Sequence, residues 1–171
     1  MIKRITITGT ESTGKSTLVA QLAGHYKTVY VPDYSRSYIE KLGHKYHHTD
    51  VLNIAHGIIE QENQVQHLAH RIFFSDNDLI NIKIWLQYYK WHVPDWLEHE
   101  IVKRKSPLYL LCDIDIDWQA DEQRKNADDR AELLHRFVET LTAINANYVW
   151  VRGKGDIRLN AAIQAVDDFI K

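Results

Sequence analysis

The chain has 171 residues, 44% apolar and 26% charged, which suits one globular domain long enough for a sheet covered by helices on both faces. Its formal charge of −2 gives no basic field for a polyphosphate backbone, so nucleic acid is not an expected partner. A single cysteine, Cys112, excludes an internal disulfide framework and fits a reducing cytoplasm. No run approaches the roughly 18 apolar residues of a membrane span, and no signal-peptide pattern precedes the first strand.

In chain order, the apolar runs 2–8, 28–32, 71–76, 107–113 and 148–153 read as strands. Between them, helical patterns cover about 15–26, 33–42, 50–70, 79–91, 94–105, 129–145 and 156–170. In the third of these, Leu52, Ala55, Ile59, Val65 and Leu68 recur at roughly helical spacing behind Thr49 or Asp50 as N-cap. Alternating strands and helices predict an α/β fold with a five-stranded parallel sheet, formed as one domain over residues 1–171.

The first strand runs into "GTESTGKST", residues 9–17. Gly9, Gly14, Lys15 and Ser16 meet the pattern G-x-x-x-x-G-K-[S/T], with a strand before and a helix after. The chemistry needs these residue types. Glycines let the loop curl so that backbone N–H groups point at phosphate oxygens. The helix start adds its positive dipole end. Lys15 can reach the β- and γ-phosphates, the Ser16 hydroxyl can bind Mg²⁺, and Thr13 and Thr17 complete the loop. ATP or GTP is therefore expected, within a three-layer P-loop fold.

An acidic residue at a neighbouring strand end completes such a site, and "RIFFSDND" supplies Asp76 on the Mg²⁺ side. Asp78 is either an acceptor-side group or the N-cap of the following helix. The charged stretch 116–130, with Arg124 and Arg130, is either a solvated loop or a lid over about 117–130 whose arginines offset charge in phosphoryl transfer. After the second strand, Asp33, Arg36 and Tyr38 cluster within two helical turns. There a carboxylate could take an acceptor hydroxyl's proton or anchor a diol, while Tyr34 and Tyr38 could equally be a packing pair. Gly153, in "RGKGD", is a candidate for the adenine side. The histidines of "HKYHH" and the pair His67 and His70 lack the companions a metal site needs.

The segments "GTESTGKSTL", "DYSRSYIEKLG", "FFSDNDLINIKIW", "PDWLEHEI", "DIDWQADEQR" and "ADDR" resemble, in order and spacing, the nicotinamide riboside kinase domain of the NadR-type proteins. The resemblance runs from about residue 3 to 170. It implies ATP- and Mg²⁺-dependent phosphorylation of the ribose 5′-hydroxyl of nicotinamide riboside, a step of NAD biosynthesis. It also implies Asp33 beside the riboside with Arg36 and Tyr38 of the same segment, Asp76 on the Mg²⁺ side, and Arg124 and Arg130 as lid arginines. With Lys15 of the loop, the expected catalytic set is Lys15, Asp33, Arg124 and Arg130, and the expected acceptor side is Asp33, Arg36, Tyr38, Asp78 and Trp85. Pro32 stands where the bifunctional members of that family carry a tryptophan before the acidic residue. Trp85, Tyr88 or Tyr38 is the expected substitute for stacking a flat ring. Those members also carry an adenylyltransferase domain upstream, and this sequence begins at the first strand of the kinase part. Two other readings stay open: a kinase of another nucleoside or nucleotide, and a nucleotide-gated sensor without catalysis.

Overall fold

A computed structural model of the chain describes residues 2–119 and 128–171. Within these, β1 (Lys3–Thr8), β2 (Tyr30–Val31), β3 (Ile72–Asp76), β4 (Leu108–Cys112) and β5 (Tyr148–Val151) form one sheet in the order β2-β3-β1-β4-β5. Every pairing is parallel. The helices are α1 (Lys15–Tyr26), α2 (Tyr34–Leu42), α3 (His48–Gln66), α4 (Leu79–Tyr88), α5 (Asp95–Lys103), α6 (Arg130–Ala143) and α7 (Asp156–Ile170).

Helices on both faces explain why β3 and β4 are buried at every position. Strand periodicity divides the core. Leu108, Leu110 and Cys112 of β4 join Ile5 and Ile7 of β1 against α1 and α7, while Tyr109 and Leu111 join the cluster built on α3, α4, α5 and α6. A central strand of this kind must be apolar on both sides, and "LYLLC" is.

Three boundaries depart from the sequence expectation. The second strand keeps only Tyr30 and Val31, at the sheet edge beside β3. The third helix starts at His48 rather than at 50. Its N-cap is His47 instead of Thr49 or Asp50, because the Asp50 carboxylate reaches back to accept from the His47 backbone N–H at 2.8 Å. The fourth helix stops at Tyr88, where Tyr89 and Lys90 close it and Lys90 takes a left-handed φ of 56°.

Two close approaches aim the chain at the site. The Tyr34 ring lies so near Gly57 of α3 that an added Cβ would meet it at 2.0 Å, so only glycine lets α2 settle there. On the other side of the sheet, Asn77 leaves β3 with φ 68° and donates its N–H to the Ile7 carbonyl at 2.9 Å. The carboxyl ends of β1 and β3 are thereby drawn together, the place where an open parallel sheet binds ligands.

Candidate active site

The loop after β1 is built from close backbone contacts. Gly9, at φ 131°, passes the Cys112 carbonyl so tightly that a Cβ would sit 2.8 Å from its oxygen. Ser12 holds φ 54° at the crest, and Gly14 at φ 75° caps α1. No side chain caps that helix and its first turn carries no acid, so its N–H groups and dipole face the loop undiminished. Inside the curl, the Thr10 carbonyl accepts from Thr13 Oγ1 at 2.9 Å and from Lys15 Nζ at 2.7 Å. Ser16 and Thr17 are exposed on the opening turn of α1.

Asp76 ends β3 in register with Ile7, beside this loop, and is only 4% exposed. Burial holds its carboxyl above the usual carboxylate range. The charge of Lys15 and a hydrogen bond from the Ser16 hydroxyl pull it down again, and the nearby charge of Asp33 adds to the rise. Its Oδ1 is buried with no hydrogen-bond partner among the described residues. A hydroxyl and an orphaned buried carboxylate oxygen beside a lysine suit a hard divalent cation such as Mg²⁺. Ser16 and Asp76 are the groups that would hold it.

Asp78 takes no part. It is 3% exposed, its carboxylate accepts from the Ile80 N–H at 3.0 Å, and it faces Arg4 and Tyr109 in the core. The turn at Asn77 separates the two acids, so the expected acceptor-side role of Asp78 gives way to helix capping. Asn77 itself does face the cleft, and its amide donates to Asp33 Oδ2 at 3.5 Å.

Across the cleft, Asp33 caps α2. Its Oδ1 accepts from the Ser35 N–H at 3.0 Å and from the Ser35 hydroxyl. Arg36 lies one turn on, half exposed, with Glu40 at 3.7 Å. Tyr38 turns the other way: its ring packs on Tyr34 at 6.1 Å and its hydroxyl donates to Asp50 at 3.2 Å. Its expected contact with an acceptor is replaced by a joint between α2 and α3. The aromatic wall instead comes from Trp85, Tyr88, Tyr89 and Tyr46. Tyr46 stands edge-on to Trp85 at 4.9 Å and shares a 2.8 Å hydrogen bond with the Tyr89 hydroxyl. Burial first, and then this bond, push the Tyr46 hydroxyl well above the usual tyrosine range.

Loop and wall enclose a single cleft of about 690 Å³, lined by residues 9–18, Asp33, Arg36, Asn77, Trp85, Tyr88 and Arg158 among others. That size suits two small ligands side by side. Trp91 and Trp96 lie outside it: Trp91 stacks on Tyr89 and Trp96 on His56. Among the described residues, no group of three or more His, Cys, Asp or Glu side chains is placed to hold a metal ion.

The residue that sequence reasoning missed is Arg158, on the first turn of α7 and 4% exposed. Its guanidinium donates to the carbonyls of Thr13 at 2.8 Å, Val151 at 2.9 Å and Asp113 at 3.0 Å, and pairs with Asp115 at 3.3 Å. One side chain thus ties the phosphate loop to the ends of β4 and β5. Three alternate aspartates repeat the theme, with Asp113 on Arg152, Asp115 on the Gly153 N–H and Asp117 on Lys154. Gly153 is consumed in that zipper, its Cβ position blocked by Ile157 at 2.6 Å. Gly155 rather than Gly153 borders the cleft.

Of the two expected lid arginines, Arg124 lies outside the described residues. Arg130 opens α6 and donates to the carbonyls of Ser12 at 3.1 Å and Ile116 at 3.2 Å, with its guanidinium over the Trp118 ring at 5.6 Å. It braces the crest of the phosphate loop from behind and does not line the cleft.

The sequence profile of a family described as an AAA domain matches residues 4–158. The chain is 27% identical, over 158 residues, to the trifunctional NAD biosynthesis/regulator protein NadR of Escherichia coli (strain K12). That alignment takes in 88% of this chain and 38% of the relative, so the chain spans well under half of the curated relative's length. A NadR protein solved in complex with NR superposes with a TM-score of 0.79 at 20% identity, over 97% of this chain and 51% of the other. A thymidylate kinase from Ehrlichia chaffeensis superposes with a TM-score of 0.68 at 10% identity, over 98% of each chain. The chain thus shares the fold of these NadR and thymidylate kinase structures, and no described helix is long and apolar enough to cross a membrane.

Proposed function

The chain belongs to the AAA-domain family, and from that premise we propose that it is an ATP-dependent kinase that phosphorylates nicotinamide riboside to nicotinamide mononucleotide. The observation that carries this reading is the placing of Asp33. It stands across one cleft from the phosphate loop, close enough to Asp76 for their charges to interact. In this reading Asp33 serves the acceptor, and Asp76, near enough to feel its charge, serves the metal. The likeness to NadR proteins, one of them solved with NR, supports nicotinamide riboside as the acceptor.

In this mechanism the loop N–H groups and Lys15 hold the phosphates of ATP. Ser16 and Asp76 would hold Mg²⁺, which would offset charge on the phosphate oxygens. The riboside packs its flat ring on the wall of Trp85, Tyr46 and Tyr89, taking the place of a tryptophan at Pro32. Asp33 accepts the proton of the 5′-hydroxyl. That oxygen then bonds to the γ-phosphorus, the bond from the γ-phosphorus to the β–γ bridging oxygen breaks, and ADP leaves. Asp33 acts through the oxygen not held by Ser35, and Asn77 orients it. Arg36 borders the ribose, and Arg130 keeps the loop crest in shape.

A second reading, a kinase of another nucleoside or nucleotide, is favoured by Pro32 and by the thymidylate kinase fold likeness. A coupled assay of ADP release over a panel of nucleosides and nucleoside monophosphates separates the two. Turnover with nicotinamide riboside above the rest supports the first reading. Turnover only with another acceptor keeps the kinase and removes the riboside. ATP binding without acceptor-dependent turnover supports a sensor instead.

A further inference from the structure

Two halves of the cleft are joined by a short chain of hydrogen bonds that runs outside the reacting groups. Tyr88, on the last turn of α4, lines the acceptor half. Its hydroxyl donates to Asp129 Oδ2 at 2.5 Å, and that bond, with burial and the aspartate charge, pushes the Tyr88 hydroxyl up to about 12. Asp129 is the N-cap residue of α6, where an aspartate ordinarily accepts from its own helix. Here its side chain makes no cap bond to α6 at all. The carboxylate is spent on Tyr88.

The next residue, Arg130, reaches the phosphate loop. Its guanidinium holds the Ser12 carbonyl, while the Ser12 hydroxyl accepts from the Gln119 N–H at 2.8 Å. Ser12 is a non-glycine residue at φ 54°, a conformation that costs energy and persists only when its surroundings hold it. Arg130 is part of what holds it. Tyr88, Asp129, Arg130 and Ser12 therefore form one bridge from the acceptor wall to the crest of the donor loop.

We propose that Tyr88 is a positioning residue: through Asp129 it fixes the first turn of α6, and so Arg130 and Ser12, keeping an acceptor on the tyrosine ring in step with the phosphates on the loop. This rests on the kinase reading above. The ring of Tyr88 serves the acceptor, whereas its hydroxyl serves the loop, and the two are separable by substitution.

Tyr88→Phe keeps the ring and removes the hydroxyl, and Asp129→Asn removes the charge that binds it. With kcat expressed per ATP-binding site, each lowers kcat by about 10-fold and leaves the acceptor KM within about 2-fold. The double variant is no worse than the weaker single, because both cut the same bridge. Tyr88→Leu, which loses the ring as well, also raises the acceptor KM. A Tyr88→Phe enzyme with raised KM and intact kcat would place the hydroxyl on the acceptor and overturn the proposal. So would unchanged kinetics, or losses that multiply in the double variant. If the wild-type protein turns over no nucleoside, the kinase reading fails on its own, and the bridge is read by titration with Mg·ATP. Both single variants then weaken Mg·ATP equally, by about 3-fold, since the loop crest is less preorganised; unchanged affinity overturns the bridge.

Discussion

Arg158 donates a hydrogen bond to the carbonyl of Thr13 over 2.8 Å, although the two residues stand 145 positions apart in the chain. With its bonds to Val151 and Asp113, it ties the phosphate loop to the ends of β4 and β5. Arg158→Met removes the donor that the Thr13, Val151 and Asp113 carbonyls and the Asp115 carboxylate share. It should destabilise the fold by about 3 kcal/mol, read as a lower urea midpoint with an unchanged slope. Arg158→Lys, which keeps the charge but not the fork, should recover only part of that loss.

Lys15 is held at the mouth of the loop by the Thr10 carbonyl at 2.7 Å, with the Asp76 carboxylate near enough for their charges to interact. Lys15→Ala should lower turnover by about 10³-fold or more while the thermal midpoint barely moves. A steady-state assay beside a melting curve checks both halves of that statement.

Asp33 has two duties that substitution can separate. As N-cap of α2 it accepts from the Ser35 N–H, and asparagine caps about as well as aspartate. Asp33→Asn should therefore keep the fold and cut kcat by about 10²-fold, the contribution of a general base. An Asp33→Asn enzyme with near-normal kcat would leave Asp33 as a ribose anchor, and its acceptor KM would carry the change instead.

Burial holds the folded carboxyl of Asp76 above the ordinary value of 3.8. As pH rises through the window from 3.8 to the folded value, the unfolded chain releases this proton first, so stability falls; above the window the loss is constant. Asp76→Asn removes that loss. In the absence of ligands it should raise Tm at neutral pH by about 2–4 °C, for a relief of about 1 kcal/mol. The same change should abolish the added stability that Mg·ATP gives the wild type, because the ionised carboxylate is what a divalent cation binds. Thermal melts with and without Mg·ATP, from acid to neutral pH, show both effects.

The parts of the site that could be read along the chain are those whose cause is local. The phosphate loop is an eight-residue pattern, Gly9 to Ser16, between a strand and a helix, and Asp33 is a cap followed at once by its helix. Asp76 was legible because it ends a strand of five buried residues. What could not be read depended on turns and distant partners. Asp76 and Asp78 look alike in sequence, and only the left-handed turn at Asn77 sends one to the loop and the other to Arg4. Tyr38 and Trp85 are both aromatic and near the right segments. The space left by Gly57 and the pull of Asp50 draw the α2 tyrosines away, leaving Tyr46, from the turn before α3, to face Trp85. Arg158 gave no local signal, since three of its four partners are backbone carbonyls on strand ends and a loop. A buried arginine opening the last helix, behind the run of alternate aspartates 113, 115 and 117, is the pattern that could have marked it.

The central claim is that Asp33 and the phosphate loop face one acceptor across one cleft, and that this acceptor is nicotinamide riboside. Mass spectrometry of the products formed from nicotinamide riboside and Mg·ATP tests it most directly. The riboside 5′-monophosphate is expected in one-to-one yield with ADP, both lost in Lys15→Ala. ADP with no phosphorylated riboside, or a monophosphate only from another acceptor in the same mixture, would contradict it.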